Sequence, residues 1–206
     1  MTRLPRILGL LSLTVAAALA LAAPAQAADE RIEPTLGDDG LYHQDWFVNS
    51  FLDLQEDLTT AAEAGKRYAI VFEQKGCPYC KDLHTVNFAD PETNAYIRER
   101  FDILQLNLWG NREVTDFDGE VLEEKALAQK YNVNFTPTIV FFPEDPAAVA
   151  GKGGTEAELA RMPGYFRPFH FLSMFEWVHD KRYDQDQSFQ RYILEKANAR
   201  DGMESN

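Results

Sequence analysis

The chain has 206 residues, with 33 acidic against 20 basic side chains, a formal net charge of −13 and only two cysteines. That acidity excludes nucleic acid, whose phosphates need a basic footprint, and docking on anionic lipid heads. Two cysteines are too few for the disulfide framework of a small exported scaffold. The length suits one domain with a substantial core.

The first element is a leader. Arg3 and Arg6 form a short basic region, Ile7 to Ala23 is apolar and uncharged, and Ala25-Gln26-Ala27 is a small-x-small cleavage signal. Residues 1–27 therefore read as a signal peptide of bacterial type, and the mature chain is expected in the periplasm with no membrane insertion after cleavage. Its loss takes away two arginines and no acid, so the charge falls from −13 to −15. Most of these carboxylates read as a solvated face, and the soluble chain is expected to be a monomer.

Residues 28–49 are expected to be an extended lead-in with a turn at Gly37-Asp38-Asp39-Gly40. A helix is predicted from Ser50 to Ala64, capped by Asn49 or Ser50, with Asp53 completing a capping box and Gly65 as its stop. Tyr68 to Phe72 is an apolar run, the pattern of a strand covered on both faces. Lys81 to Phe88 continues a helix, and another runs from Asp90-Pro91 to Arg100 with Pro91 at its first position. Phe101 to Leu108 reads as a second strand, Trp109 to Glu120 as a small hairpin or irregular loop, and Val121 to Tyr131 as a helix. Thr138 to Phe142 is a third strand, and a weak one is predicted near Met162 to Phe166. Helices over Pro168–Tyr183 and Gln187–Arg200 close a single domain, residues 50–200, before a flexible tail at 201–206. Strands alternating with helices imply an α/β layered fold.

Both cysteines lie in Glu73-Gln74-Lys75-Gly76-Cys77-Pro78-Tyr79-Cys80, directly after a strand. At this spacing the sulfurs can pair if the chain turns into the first turn of a helix, where the N-terminus favours a thiolate. The loop they close is too short to stabilise much, so the pair suits opening and closing rather than stapling. Cys77, at the helix start, is the expected attacking thiol, and Cys80, one turn further in, the resolving thiol. Pro78 stiffens the turn, and Pro78 and Tyr79 tune the redox poise. Three other readings stay open. Cys77, Cys80 and His84 would share a helical face and suit copper or zinc, as in a soft-metal chaperone. The pair also admits reading as an inert staple, or as part of a module kept for docking alone. His84 is either a proton shuttle for Cys80 or a residue without chemistry. His43, His170 and His179 belong to no constellation, and no cofactor motif is present.

Strand, Cys77-Pro78-Tyr79-Cys80, helix, strand, helix, then Thr136-Pro137-Thr138 leading a strand resembles the thioredoxin fold, over roughly Ser50 to Tyr183. The resemblance implies a central mixed sheet flanked by helices, here with an extra N-terminal helix and an extended helical C-terminus. It also implies a cis bond before Pro137, which would face the cysteines, and substrate docking on the Thr136 backbone. Phe72-Glu73-Gln74, Leu83-His84, Val86-Asn87-Phe88, Asp116-Phe117-Asp118-Gly119 and the aromatic tail after Gly164-Tyr165 further resemble exported thioredoxins of the SoxW type, associated with bacterial sulfur oxidation. That likeness implies a thiol–disulfide oxidoreductase that reduces protein disulfides, with electrons from a membrane protein of the CcdA or DsbD kind. Oxidase or isomerase activity is the alternative direction. The Cys-Pro-Tyr-Cys tetrapeptide also occurs in glutaredoxins, where valine rather than threonine typically precedes the proline.

Two positions depart from the family. Thioredoxins bury an aspartate six residues before the first cysteine, as proton acceptor for the resolving thiol, and here that position is Val71. Gly76 replaces the tryptophan expected before the first cysteine. Glu73, on the same strand, is either a substitute acid for Cys80 or a solvent-exposed residue at a strand end.

Overall fold

The strand β3, Arg67–Glu73, is buried along its whole length and divides the core. Tyr68, Ile70 and Phe72 point to one face and Ala69 and Val71 to the other, as the two-residue period of a strand requires. Such an apolar run cannot be an edge, and β3 is indeed central. In this computed structural model, which describes residues 31–204, the main sheet has the order β4-β3-β7-β8, with β4 spanning Phe101–Asn107, β7 Thr138–Phe141 and β8 Ala160–Pro163. β3 pairs parallel with β4 and antiparallel with β7, and β7 pairs antiparallel with β8, so the sheet is mixed. The expected leader and its cleavage signal lie outside the described residues, as do positions 205 and 206. Among the described residues, no helix is long and apolar enough to cross a membrane.

Helices cover both faces. On the Tyr68 side pack α1, Leu54–Glu63, through Leu54, Leu58 and Ala61, and α4, Glu124–Lys130, through Leu127 and Ala128. On the Val71 side pack α3, Pro91–Arg100, through Ile97, and α5, Pro168–His179, through Phe171, Phe175 and Val178. This second layer is aromatic: Phe101, Phe141 and Phe171 each meet the Phe175 ring edge-on at 4.8–5.1 Å, an arrangement that adds about 1 kcal/mol per pair to plain burial. The fold expected from the resemblance is the fold observed.

Several boundaries differ from the sequence reading. The α1 cap is Asp53, whose Oδ1 accepts the Glu56 N–H at 3.0 Å, rather than Asn49 or Ser50. Leu52 takes a left-handed φ of 67°, which no helix can include. Ser50 instead accepts the Leu52 N–H at 2.6 Å and donates to Asp57 at 2.6 Å. Gly65 stops the helix as predicted, at φ 70°; the Lys66 N–H then reaches the Ala61 carbonyl at 2.8 Å. The helix predicted over Val121–Tyr131 starts only at Glu124, because Val121–Glu123 (β6) pairs antiparallel with Glu113–Thr115 (β5) across a tight turn. The weak strand lies at Ala160–Pro163 rather than 162–166, since Gly164 turns the chain at φ 80°. The helix from Pro168 ends at His179, where the backbone becomes left-handed at Lys181. The last helix, α6, is Phe189–Glu204 and continues into positions expected to form a tail.

The lead-in is an ordered hairpin. Thr35–Leu36 (β1) pairs with Tyr42–His43 (β2) around the predicted turn, and the Val48 N–H donates to the Ile103 carbonyl of β4 at 2.9 Å. This ties the segment against the open edge of the sheet, beside the end of β3.

Candidate active site

β3 ends at Glu73, and Gln74-Lys75-Gly76 turns the chain into α2, Pro78–Asp82. Gly76 makes that turn at φ 74°. A tryptophan at this position would be strained by roughly 1–2 kcal/mol, which gives a backbone reason for the departure from the family pattern. Cys77 is the N-cap, and Pro78 occupies the first helical position, where its missing N–H is not needed. The Cys77–Cys80 pair is joined as a disulfide, with Cα atoms 5.2 Å apart.

The two sulfurs occupy different environments. Cys77 is half-buried and Cys80 only 4% exposed. The Cys80 backbone N–H points at Cys77 Sγ from 3.0 Å. When the disulfide is open, this donor favours charge on Cys77, because a hydrogen bond to the charged form stabilises that form. Thr136 approaches the same sulfur, its carbonyl oxygen at 3.5 Å and its Oγ1 at 3.4 Å. The Thr136–Pro137 bond is cis, as the resemblance implied. Thr136, distant in sequence, is thus brought to Cys77, with the cis bond to Pro137 directly after it.

Tyr79 is 60% exposed and stacks on Tyr165 with ring centroids 6.0 Å apart. Tyr165 follows the Gly164 turn and donates its hydroxyl to Asn87 at 3.1 Å; its pKa is raised by burial. With Phe135, Thr136 and Arg167, these two tyrosines line a groove of about 740 Å³ beside Cys77. The exposed Trp109 donates its indole N–H to Gln74, three residues before Cys77, at 2.7 Å. An indole is therefore held on the turn that leads into the cysteines, supplied from just after the end of β4.

Glu73 is buried, at 1% exposure, and faces the Val71 side of β3. The reading of it as solvent-exposed is corrected by this burial: the hairpin and the turn after Asp82 cover the strand end. Its Oε2 accepts from His84 Nε2 at 3.0 Å and from Gln105 Nε2, while its buried Oε1 has no hydrogen-bond partner. Glu73 and Cys80 line one cleft of about 270 Å³, closed on its far side by Gly40, Leu41 and Tyr42 of the hairpin. A buried acid thus stands two residues further along the strand than the family's aspartate, in a side chain one methylene longer.

His84 lies fully buried in a π turn, Leu83–Asn87, closed by the Phe88 N–H on the Leu83 carbonyl at 2.9 Å. One ring nitrogen faces Glu73 and the other Gln44, at 3.2 Å. Among the described residues no three acidic, histidine or cysteine side chains are arranged to hold a metal ion. The copper or zinc set of Cys77, Cys80 and His84 is accordingly not assembled, because His84 is engaged inward on both nitrogens.

Sequence reasoning missed Gln44, Gln105, Trp109 and the Phe135–Tyr165 groove. Gln105 left a signal: it shares the apolar face of Phe101 and Ile103, where a polar side chain calls for a buried partner. Gln44 left none, since its partner His84 is 40 positions away.

A family model described as a thioredoxin-like domain matches residues 54–179. Among solved structures, the chain is similar to a thioredoxin-fold protein from Helicobacter pylori, at 28% identity over 66% of this chain and 86% of that one, with a TM-score of 0.48. It is similar also to a thioredoxin from Thermus thermophilus, at 25% identity over 61% and 83% of the two chains, TM-score 0.46. A third is the DsbD C-terminal domain of Neisseria meningitidis in its oxidised form, at 19% identity over 60% and 90%, TM-score 0.42. No curated protein matches.

Proposed function

The chain belongs to the thioredoxin-like domain family, and from that membership we propose that it is an exported thiol–disulfide oxidoreductase that reduces disulfides in partner proteins. The observation that carries this reading is the asymmetry of the pair: an accessible Cys77 at a helix start, with a backbone donor 3.0 Å from its sulfur, and a shielded Cys80. In the reduced protein the Cys77 thiolate attacks a partner disulfide. A Cys77–partner S–S bond forms, the partner bond breaks, and one partner sulfur leaves with the electron pair and takes up a proton. Cys80 then gives its proton to Glu73 Oε1 and attacks Cys77 Sγ. The mixed disulfide breaks, the second partner sulfur leaves as a thiolate, and it is protonated from Glu73. Two electrons have passed to the partner, and the Cys77–Cys80 disulfide remains.

The leader sequence supports a periplasmic location, where an incoming disulfide persists. The SoxW-type resemblance supports a reducing role in sulfur oxidation, with the disulfide reopened by a membrane donor of the CcdA or DsbD kind. Thr136 supports docking of an extended partner segment beside Cys77, and the Tyr79–Tyr165 groove fits its apolar side chains.

Dithiol-driven insulin reduction tests the chemistry. The wild-type chain is expected to be active and Cys77→Ser inactive, and a wild-type chain inactive with every dithiol would overturn the reading. Equilibration with glutathione tests the direction. A reductase is expected near the thioredoxin potential of about −270 mV, whereas a value near −120 mV marks an oxidase.

A further inference from the structure

Two hydrogen-bond lines converge on Glu73, and each begins at a backbone carbonyl, which can only accept. In the first, the Phe88 carbonyl accepts from Asn94 Nδ2 at 2.8 Å, which fixes the orientation of that amide. The same Nδ2 faces Gln44 Oε1 at 3.4 Å, so Gln44 turns its Nε2 toward His84 Nδ1, at 3.2 Å. An amide NH₂ only donates. Nδ1 must therefore accept, and the ring proton sits on Nε2, which donates to Glu73 Oε2 at 3.0 Å. In the second line, the Tyr42 carbonyl accepts from Gln105 Nε2 at 2.8 Å and thereby turns the same NH₂ group toward Glu73 Oε2. Both donors fall on one carboxylate oxygen. The other, Oε1, is buried without a partner, and Glu73 lines one cleft with Cys80. Leaving an acceptor so buried is costly, so it calls for an explanation.

We propose that the N-terminal hairpin is part of the catalytic apparatus: Gln44 and the Tyr42 carbonyl fix the His84 tautomer and the Glu73 orientation that leave Oε1 for the Cys80 proton. Gln44 and Gln105 are positioning residues, acting through His84 and Glu73. Neither Gln44 nor Tyr42 lies within the matched family span of 54–179, so this chain's own addition supplies the alignment. The rings of Tyr42, Phe47 and Phe88 stand 6.3, 5.7 and 5.6 Å from the imidazole and hold it in place. The titratable groups around Glu73 are His84 behind it, Cys77, Cys80 and Lys81 from α2, and Tyr42 from the hairpin. The proposal rests on the oxidoreductase reading and concerns only its second step.

Gln44→Leu removes the donor to His84, and Gln44→Glu keeps the shape but replaces the donor by an acceptor. With a disulfide-bonded peptide in single turnover, attack by Cys77 is expected within about twofold of wild type in both. Resolution by Cys80 is expected to slow by about tenfold, part of the 10²–10⁴ that a positioned proton acceptor supplies. In Gln44→Glu the pH profile of that step is expected to shift as well, which a purely structural role would not produce. In the unsubstituted chain, imidazole nitrogen NMR is expected to find His84 protonated on Nε2. Wild-type resolution rates with an unmoved profile in the variants, or an Nδ1–H ring in the parent, would overturn the proposal; the NMR result decides if neither variant folds. A parent chain that exchanges no disulfide removes the underlying reading instead, which separates the two failures.

Discussion

Val71 and Glu73 face the same side of β3, so the strand offers two places for an acid that would serve Cys80, and in this chain only the later one carries a carboxylate. Val71 is fully buried in the aromatic layer, where a carboxylate would have no partner, whereas Glu73 meets His84 and Gln105. Glu73→Gln keeps the shape and removes the capacity to take a proton. The second half-reaction is expected to slow by about 100-fold, so that the mixed disulfide accumulates during turnover and is visible by intact mass. Alkylation of reduced Cys77 is expected to be unchanged. An equal loss in both steps would mean that Glu73 supports the fold rather than the chemistry. The cysteine pair and Thr136-Pro137 were legible because their chemistry is local or marked by proline. Glu73 was ambiguous, since one residue at the end of an apolar run says nothing about what covers it.

At the scale of elements, what the sequence revealed followed the range of the forces involved. β3 and β7 declared themselves because burial on both faces leaves an uninterrupted apolar run. The stop of α1 was legible from Gly65, which acts within one turn. Its start was not, because Ser50 and Asp53 are both good caps, and the left-handed Leu52 decides between them. Asp53→Ala is expected to lower stability by about 1 kcal/mol in denaturant unfolding, with redox activity unchanged. A loss within error would mean that the Asp53 contact contributes nothing to the helix. Residues 121–123 carried a helical pattern that their pairing with β5 overrides, since hairpin pairing is a tertiary gain that helical periodicity cannot register. Tertiary packing also made a hairpin of the lead-in, through hydrogen bonds to β4 that span more than 50 positions.

At the scale of the whole molecule, three tyrosine hydroxyls from separate parts of the fold donate to carboxylates. Tyr68 donates to Asp57 at 3.0 Å, Tyr131 to Asp116 at 2.8 Å and Tyr192 to Glu176 at 3.2 Å. Burial first, and these carboxylates next, raise the pKa of all three, that of Tyr192 to about 12 and those of Tyr68 and Tyr131 further. Tyr96 is raised in the same way, by burial and then by Asp180 and Glu176. An unfolded tyrosine ionises at about 10. Above that pH the unfolded chain releases protons that the folded chain retains, so stability falls as pH rises. These contributions are whole below about pH 10 and are lost together above it, because four groups in different layers shift in the same direction. The denaturant midpoint is therefore expected to hold up to about pH 10 and then drop steeply, and tyrosinate absorbance should rise together with the loss of near-ultraviolet circular dichroism. Titration of these tyrosines in a chain that remains folded near pH 10 would contradict it. The same linkage gives the buried Tyr–Asp contacts a cost at high pH that the solvated carboxylates of the surface do not carry.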